Sequence, residues 1–301
     1  MHGILVVNKP EGITSFDVVR RVRRVFQTRK VGHGGTLDPL ATGVLPVAVG
    51  HGTRLLEYLM EGEKVYRATM RLGVVTDTQD SQGTILAEYP WSETTADQVR
   101  NVVRTALGEI DQLPPMYSAL KHQGQPLYKL ARQGVEIDRQ PRRIFVSAIE
   151  VVSCALPEVV FEVTCSKGTY VRTLIHDFGQ RLGCGAMMIA LQRTAAMPFR
   201  LEQAIDLAEL EPGVIPDRGW LTPLQAVSHL PQAEADAAAV ALLKNGVPPQ
   251  LQQVRFEQMP KEDALVALTA GDDLLALARF GSGGRLDSRG DFALLKVFHY
   301  C

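Results

Sequence analysis

The sequence contains no apolar run approaching the ~18 residues that a membrane-spanning helix needs. Its opening, Met1 to Gly12, lacks the basic start and long apolar stretch of a secretory signal. Both absences point to a cytoplasmic protein that makes no use of a membrane. Cysteine is scarce: Cys154, Cys165, Cys184 and Cys301 form no CxxC pair and have no histidine at zinc-ligand spacing. They read as reduced, mostly buried thiols, with no metal. The glycines of residues 32–43 fail the spacing of a dinucleotide fingerprint, and no GK[ST] marks a phosphate loop, so no cofactor is expected. There is no internal repeat and no low-complexity tract. Net charge is nearly absent too, at −1, and on the bulk count that offers a polyanion nothing.

The distribution of charge says otherwise. Residues 1–200 carry 24 Lys or Arg against 19 Asp or Glu, and residues 201–301 carry 8 against 14. The front two-thirds is therefore basic and the tail acidic, an asymmetry that hints at a polyanion-facing region. Arg20 to Lys30 holds six basic residues and no acid, and Gln112 to Phe145 holds six against two. The chain has 301 residues, 46% of them hydrophobic. Two domains with ample core are expected, without disulfide or metal staples.

The pattern along the chain is that of an α+β protein. Ile4–Val7 reads as a short apolar strand, and Thr14-Ser15 as the cap of a helix striped by Phe16, Val18, Val19, Val22 and Val25. The segment 31–53 reads as a long functional loop followed by a strand. Strands are expected over 64–72, 83–89, 144–154 and 159–165. Helices are expected over 95–107 and 170–182, the latter closed by Gly183, with a short one at 127–133 ended by Gly134. A further helix or turn is expected through Leu191. After the boundary marked by Pro212, Gly213, Pro216 and Pro223 comes a helix over 234–244. Short strands at 264–269, 274–280 and 292–300 follow, joined in part by a Gly/Ser-rich loop. They suggest a small β-barrel module.

Three segments carry candidate chemistry. In Gly32-His33-Gly34-Gly35-Thr36-Leu37-Asp38-Pro39, small residues around Asp38 let a ligand approach, and His33 is a candidate base or ligand. In Lys64-Val65-Tyr66-Arg67, strand alternation puts Lys64 and Tyr66 on one face. In Thr169-Tyr170-Val171-Arg172, a strand-to-helix crossing places an aromatic and a cation in the first turn. An arginine beside a carboxylate lowers its pKa and keeps it ionised, and aromatic rings can sandwich a planar base. A glycoside hydrolase, the competing hydrolytic reading, needs a second carboxylate; Asp77 and Asp80 could be offered, but nothing else fits.

In order along the chain, GHGGTLDPLATGVLPV, KVYRATMRLGVVTDTQDSQG, PPMYSALKHQGQPLYKLARQG and TYVRTLIHDFGQRLGCGA resemble the successive motifs of the bacterial TruB family of tRNA pseudouridine synthases. The resemblance is close over about residues 3–200 and looser beyond. It implies a mixed, mainly antiparallel central sheet with flanking helices, plus a small barrel-like RNA-binding domain of PUA type. The implied division is 1–228 for the catalytic domain and 229–301 for the module. The implied activity is isomerisation of uridine 55 in the T-arm loop of tRNA, by a cytoplasmic monomer without cofactor. By position, Asp38 matches the family's catalytic aspartate and Arg172 its arginine partner. Tyr66 matches the aromatic that stacks on the target base, and Tyr170 lines the same pocket. His33 matches the histidine that enters the RNA loop; Lys64, Leu191 and Lys9 occupy further substrate-side positions. The insertion at about 112–143 resembles the family's RNA grip, which with the first helix offers Arg20, Arg24, Lys121, Lys129, Arg142 and Arg143 to the backbone. Asn8 stands where the family usually has Asp, and Met197 where it usually has Gly. A tRNA-folding chaperone role can coexist with catalysis. The alternative is the catalytic subunit of a guide-RNA-dependent synthase, disfavoured by the intact insertion and the lack of a long basic tail.

Overall fold

The computed structural model describes residues 1–281 and 291–298; Cys301 and the expected Gly/Ser-rich loop fall outside the described residues. The sheet is organised around β1 (Gly3–Lys9). Its apolar run does not alternate because both faces are covered. Leu5 and Val7 pack into one core, Ile4 and Val6 into another, and all four are fully buried. Helix α1 (Ser15–Val25) begins at Thr14 with a reciprocal cap. Thr14 Oγ1 accepts from the Asp17 amide at 3.1 Å, and the Asp17 carboxylate accepts from the Thr14 amide at 2.9 Å. The four valines of the stripe are buried, which leaves Arg20, Arg21 and Arg24 exposed on the opposite side. Phe16, expected on the stripe, is 54% exposed and lies under the Arg20 and Arg23 guanidinium groups instead of in the core.

Strands β2 (Val31–His33), β3 (Thr42–Val49) and β4 (Lys64–Leu72) follow, then helix α2 (Ala96–Arg104). Strands β5 (Gly108–Gln112), β6 (Arg142–Ala155) and β7 (Glu158–Cys165) precede helix α3 (Val171–Leu182) and strand β8 (Ala186–Ala196). The sheet runs from a two-residue strand at Ile205–Asp206 through β1, β3, β8, β4, β7, β6 and β5, with β2 paired to β3. The β3–β8 pairing and that of β1 with Ile205–Asp206 are parallel; the other pairings along this path are antiparallel. Helices α1, α2 and α3 pack on one face, where Phe161 and Phe178 meet edge to face at 5.9 Å.

One expectation fails at the middle of this sheet. The stretch through Leu191, read as helix or turn, lies inside β8, between β3 and β4. Its sequence, AMMIALQRTAA, is rich in helix formers, and irregularities after Met188 and Arg193 break the period of two. Tertiary pairing on both edges overrides the local preference. The segment 112–143 also has structure of its own: a tight hairpin of Lys121–His122 with Gln125–Pro126, then a short helix Leu127–Ala131.

Beyond the main sheet, β9 (Gln232–Ala235), β10 (Val254–Phe256), β11 (Leu265–Ala270), β12 (Asp273–Phe280) and β13 (Phe292–Val297) form a second sheet, in the order β10, β9, β11, β12, β13, with helix α4 (Ala237–Lys244) between β9 and β10 in the chain. No pairing among the described residues joins its two ends into a closed barrel. It has its own core of Phe280, Phe292 and Leu268 under α4. Its other side shares a core with Ile4, Val6 and Val44 through Ala267, Leu274, Leu277 and Phe298. No helix among the described residues is long and apolar enough to cross a membrane.

Helix α3 can lie close to β8 because of Gly179. A Cβ there would stand 2.1 Å from the Ala186 nitrogen and 2.4 Å from the Gly185 carbonyl carbon. Gly179→Ala is therefore expected to push α3 outward and to destabilise by about 1–3 kcal/mol. Thermal unfolding should show the midpoint falling by roughly 2–4 °C per kcal/mol. An unchanged midpoint would show that helix and strand can separate freely.

Candidate active site

Asp38 sits in the loop between β2 and β3, and that loop is tied down from the β1–α1 side. Ser15 Oγ accepts from the Leu37 amide at 2.8 Å and donates to the Leu37 carbonyl at 3.1 Å. The Gly12 amide donates to the Pro39 carbonyl at 2.8 Å, and the Ala41 amide to the Asp38 carbonyl at 3.0 Å. Lys9 is wholly buried. Its Nζ donates to the carbonyls of Pro10 (2.8 Å), Ile13 (2.7 Å) and Pro39 (3.3 Å). Its ammonium thus ties the Asp38 loop to the turn after β1. Burial outweighs the neighbouring carboxylates and brings its pKa down to about 8.

Arg172, in the first turn of α3, reaches this carboxylate. Its Nη2 lies 3.2 Å from Asp38 Oδ2 and donates to the Tyr117 carbonyl at 2.5 Å, while Nη1 stands 3.7 Å from Asp80 Oδ2. The Arg172 side chain is 6% exposed and that of Asp38 is 35% exposed. The carboxylate is therefore the member of the pair that a ligand can reach, with the guanidinium behind it. Asp80 is itself held, since its Oδ1 accepts from Thr78 Oγ1 at 2.6 Å and from the Gln82 amide at 3.0 Å. Arg172 acts on Asp38 with the sign expected of a neighbouring cation, but it does not decide the outcome. Burial pushes the carboxyl up and dominates; Arg172 pulls it down, Asp80 pushes it up again and Lys9 pulls it down.

Two aromatic residues stand near. Tyr170 caps α3, and its backbone is bracketed by the buried Gln112 side chain, which accepts from the Tyr170 amide at 2.8 Å and donates to its carbonyl at 3.0 Å. The Arg172 guanidinium carbon lies 5.9 Å from the centre of the Tyr170 ring. Tyr66 lies on β4 opposite Arg193 of β8, whose guanidinium faces the Tyr66 hydroxyl. Burial pushes the Tyr66 hydroxyl up, and Arg193 acts against it.

His33 is half-buried at the end of β2. Burial and Arg193 lower its pKa, which leaves it neutral near pH 7, and its Nδ1 is buried without a partner. Lys64 shares its face with Tyr66 but is buried, its Nζ donating to the Met60 carbonyl and, at 2.5 Å, to that of Gly62. Burial brings it down to about 8. Its ammonium closes the turn before β4. Leu191 is 8% exposed and borders an open cleft with Leu40 and Thr42.

The basic candidates Arg20, Arg24, Lys121, Lys129, Arg142 and Arg143 are all exposed. Arg20 pairs with Asp17, and Arg143 stands 3.7 Å from both Glu109 and Asp111. Such exposed pairs contribute little and are easily exchanged. Among the described residues no group of three or more His, Cys, Asp or Glu is gathered as metal ligands would be. Sequence reading missed Gln112, Asp80 as a partner of Arg172, and Arg193. Their signal exists only in the tertiary contacts.

The chain matches the family model described as TruB family pseudouridylate synthase (N terminal domain) over residues 23–171. It matches that of the tRNA pseudouridylate synthase B C-terminal domain over residues 172–219. It is 46% identical to the tRNA pseudouridine synthase B of Syntrophotalea carbinolica over 301 residues, covering 99% of this chain and 98% of that one. It is 49% identical to that of Geobacter sulfurreducens over 253 residues, 83% of each chain. Among solved structures it is similar to an H/ACA RNP bound to a substrate RNA containing 2′-deoxyuridine. That match has a TM-score of 0.75 and 29% identity, and covers 99% of this chain and 85% of the other. The motifs, the sheet and the matched length agree, and the chain belongs to the TruB family of pseudouridylate synthases.

Proposed function

We propose that this protein isomerises uridine 55 in the T-arm loop of tRNA to pseudouridine, with Asp38 as the catalytic carboxylate. The observation that carries the reading is the pair of Asp38 and Arg172, an accessible carboxylate backed at 3.2 Å by a buried guanidinium. The named relatives, tRNA pseudouridine synthases B, support tRNA as the substrate. In this reading residues 1–228 carry the chemistry and residues 229–301 serve as an RNA-binding module.

The reaction breaks the bond from N1 to C1′, turns the uracil and joins C5 to C1′. One proton leaves C5 and one arrives at N1, so nothing is added and no redox change occurs. A uridine inside a folded loop must first be extruded, which costs a few kcal/mol of unstacking. Stacking on Tyr66, at about 1–3 kcal/mol per base, and a neutral His33 in the vacated space offset that. Tyr170 lines the same pocket, and Leu191 its border. Asp38, ionised, works against the sugar either as a nucleophile at C1′ or as a base that takes a ribose proton. Both routes need the carboxylate, and Arg172 holds it in line while Asp80 holds Arg172. Tyr66 takes the proton from C5. Arg20, Arg24 and the basic residues of the insertion meet phosphates.

Incubation with a T-arm stem-loop, followed by mapping of pseudouridine at every uridine, tests the assignment; modification elsewhere but not at position 55 would refute it. Asp38→Asn is expected to fold and bind tRNA but to give no turnover, and sustained pseudouridine formation by it would remove Asp38 from the chemistry. Because burial raises the Asp38 pKa and the charged form is the active one, activity should be lost on acidification at a higher pH than an ordinary carboxylate would set. Removing the Arg172 cation, as in Arg172→Gln, should move that acid limb further up. A limb that stays in place would show that the two charges do not communicate. Replacing Lys121, Lys129, Arg142 and Arg143 by Gln should weaken RNA binding and reduce the slope of log K against log salt by up to about 0.9 for each phosphate no longer neutralised. An unaltered slope would mean that the insertion does not touch phosphate.

A further inference from the structure

Arg193 is the largest of the fully buried side chains, at 1% exposure, and no carboxylate among the described residues forms an ion pair with it. A guanidinium without an anionic partner is expensive to bury, and an apolar side chain of similar volume would be cheaper. Its donors are nevertheless directed. Nε donates to the Val44 carbonyl at 2.7 Å, and Nη2 to the Gly35 carbonyl at 3.2 Å. Glycine lets the β3 backbone come close to that of Arg193. Gly43 has φ +98, and a Cβ there would stand 2.2 Å from the Arg193 carbonyl oxygen. A Cβ on Gly35, at φ +106, would stand 3.5 Å from Nη1. The guanidinium is thus pinned to β3 and to the glycine turn that leads into Asp38. Tyr66 is the direct partner of Arg193 across the β4–β8 ladder, and its hydroxyl lies within reach of the Arg193 charge.

We propose that Arg193 is a positioning residue for Tyr66: it orients the ring and stabilises the phenolate that takes the proton from C5. The inference rests on the reading of Tyr66 as proton acceptor. Two cations then serve two anions, Arg172 the Asp38 carboxylate and Arg193 the Tyr66 phenolate. Burial weighs most on the Tyr66 hydroxyl and disfavours its ionised form; of the charged or titratable groups around it, Arg193 favours that form, and Cys165 and Asp38 oppose it. Lys64 shares the face, its Nζ bound to carbonyls of the preceding turn. Ionisation of Tyr66 would supply the buried guanidinium with the partner it lacks. In the transfer, the phenolate oxygen takes the C5 hydrogen as a proton and becomes a phenol. The C–H electron pair returns to the uracil ring, N1 takes a proton from solvent, and the phenol releases its proton to solvent before the next turnover.

The test separates charge from scaffolding. Single-turnover release of tritium from C5 of uridine in a T-arm stem-loop is measured for Arg193→Met, with folding checked by thermal unfolding. The rate is expected to fall by about tenfold or more, the effect of one pKa unit at Tyr66. A fluorinated tyrosine at position 66, whose phenol is intrinsically more acidic, should then recover most of the loss. A rate equal to that of the unaltered protein, or a loss that the fluorinated tyrosine leaves untouched, overturns the proposal. If Arg193→Met does not fold, Arg193→Lys takes its place with the same two readings and a smaller loss. Tyr66→Phe distinguishes the premise from the inference. Undiminished tritium release by it defeats the reading of Tyr66 itself, whereas a slow Tyr66→Phe beside an unrescued Arg193 variant defeats only the role of Arg193.

Discussion

The buried guanidinium of Arg172 is the group on which the site depends. It draws three remote pieces of chain to one point: the glycine-rich loop through Asp38, the turn after β4 through Asp80, and the insertion through the Tyr117 carbonyl. Planarity matters here, because a fork can serve two carboxylates and a carbonyl at once where a lysine ammonium would act as a point charge. The helix that carries it is set by Gly179 against β8 and by Gln112 at its first turn. Displacing any one of these moves the cation, and with it the electrostatics of Asp38.

That arrangement also explains why a carboxylate with an arginine beside it still has a raised pKa. Burial in a medium of low dielectric disfavours the charged form more strongly than one cation on its far side favours it, and Asp80 shares that cation. A carboxylate stripped of part of its water and held ionised by a fixed partner is more reactive toward a sugar carbon or a ribose proton than a solvated one. The ordering that makes this possible comes from behind the loop. Lys9 and Ser15 there bind only backbone atoms of the loop and its neighbours. Both fix the loop without occupying the space in front of it.

Much of the local structure was legible along the chain. The cap at Thr14, the valine stripe of α1, the helix closed by Gly183 and the strands around Tyr66 and Cys165 all follow from periodicity and capping. Strand β8 was not legible. Its composition favours helix, and its two irregularities erase alternation, so only pairing with β3 and β4 makes it a strand. The backbone bonds of Lys9 and Lys64 were not legible either, for a related reason. A lysine near a site looks like a ligand contact, and nothing in one dimension tells that its ammonium will be taken by nearby carbonyls.

By itself, the sequence determined most of the elements outside β8, the family and the residue types that carry the chemistry, because capping, periodicity and ordered motifs are local properties. It also showed that the near-zero net charge is an average of a basic front and an acidic tail. Only the tertiary structure decided which acid and which base meet, which cations are buried, and in which direction each pKa moves. Those quantities depend on distance and on exclusion of water, and chain neighbours control neither. Asp38 and Arg172 lie far apart along the chain and 3.2 Å apart in space.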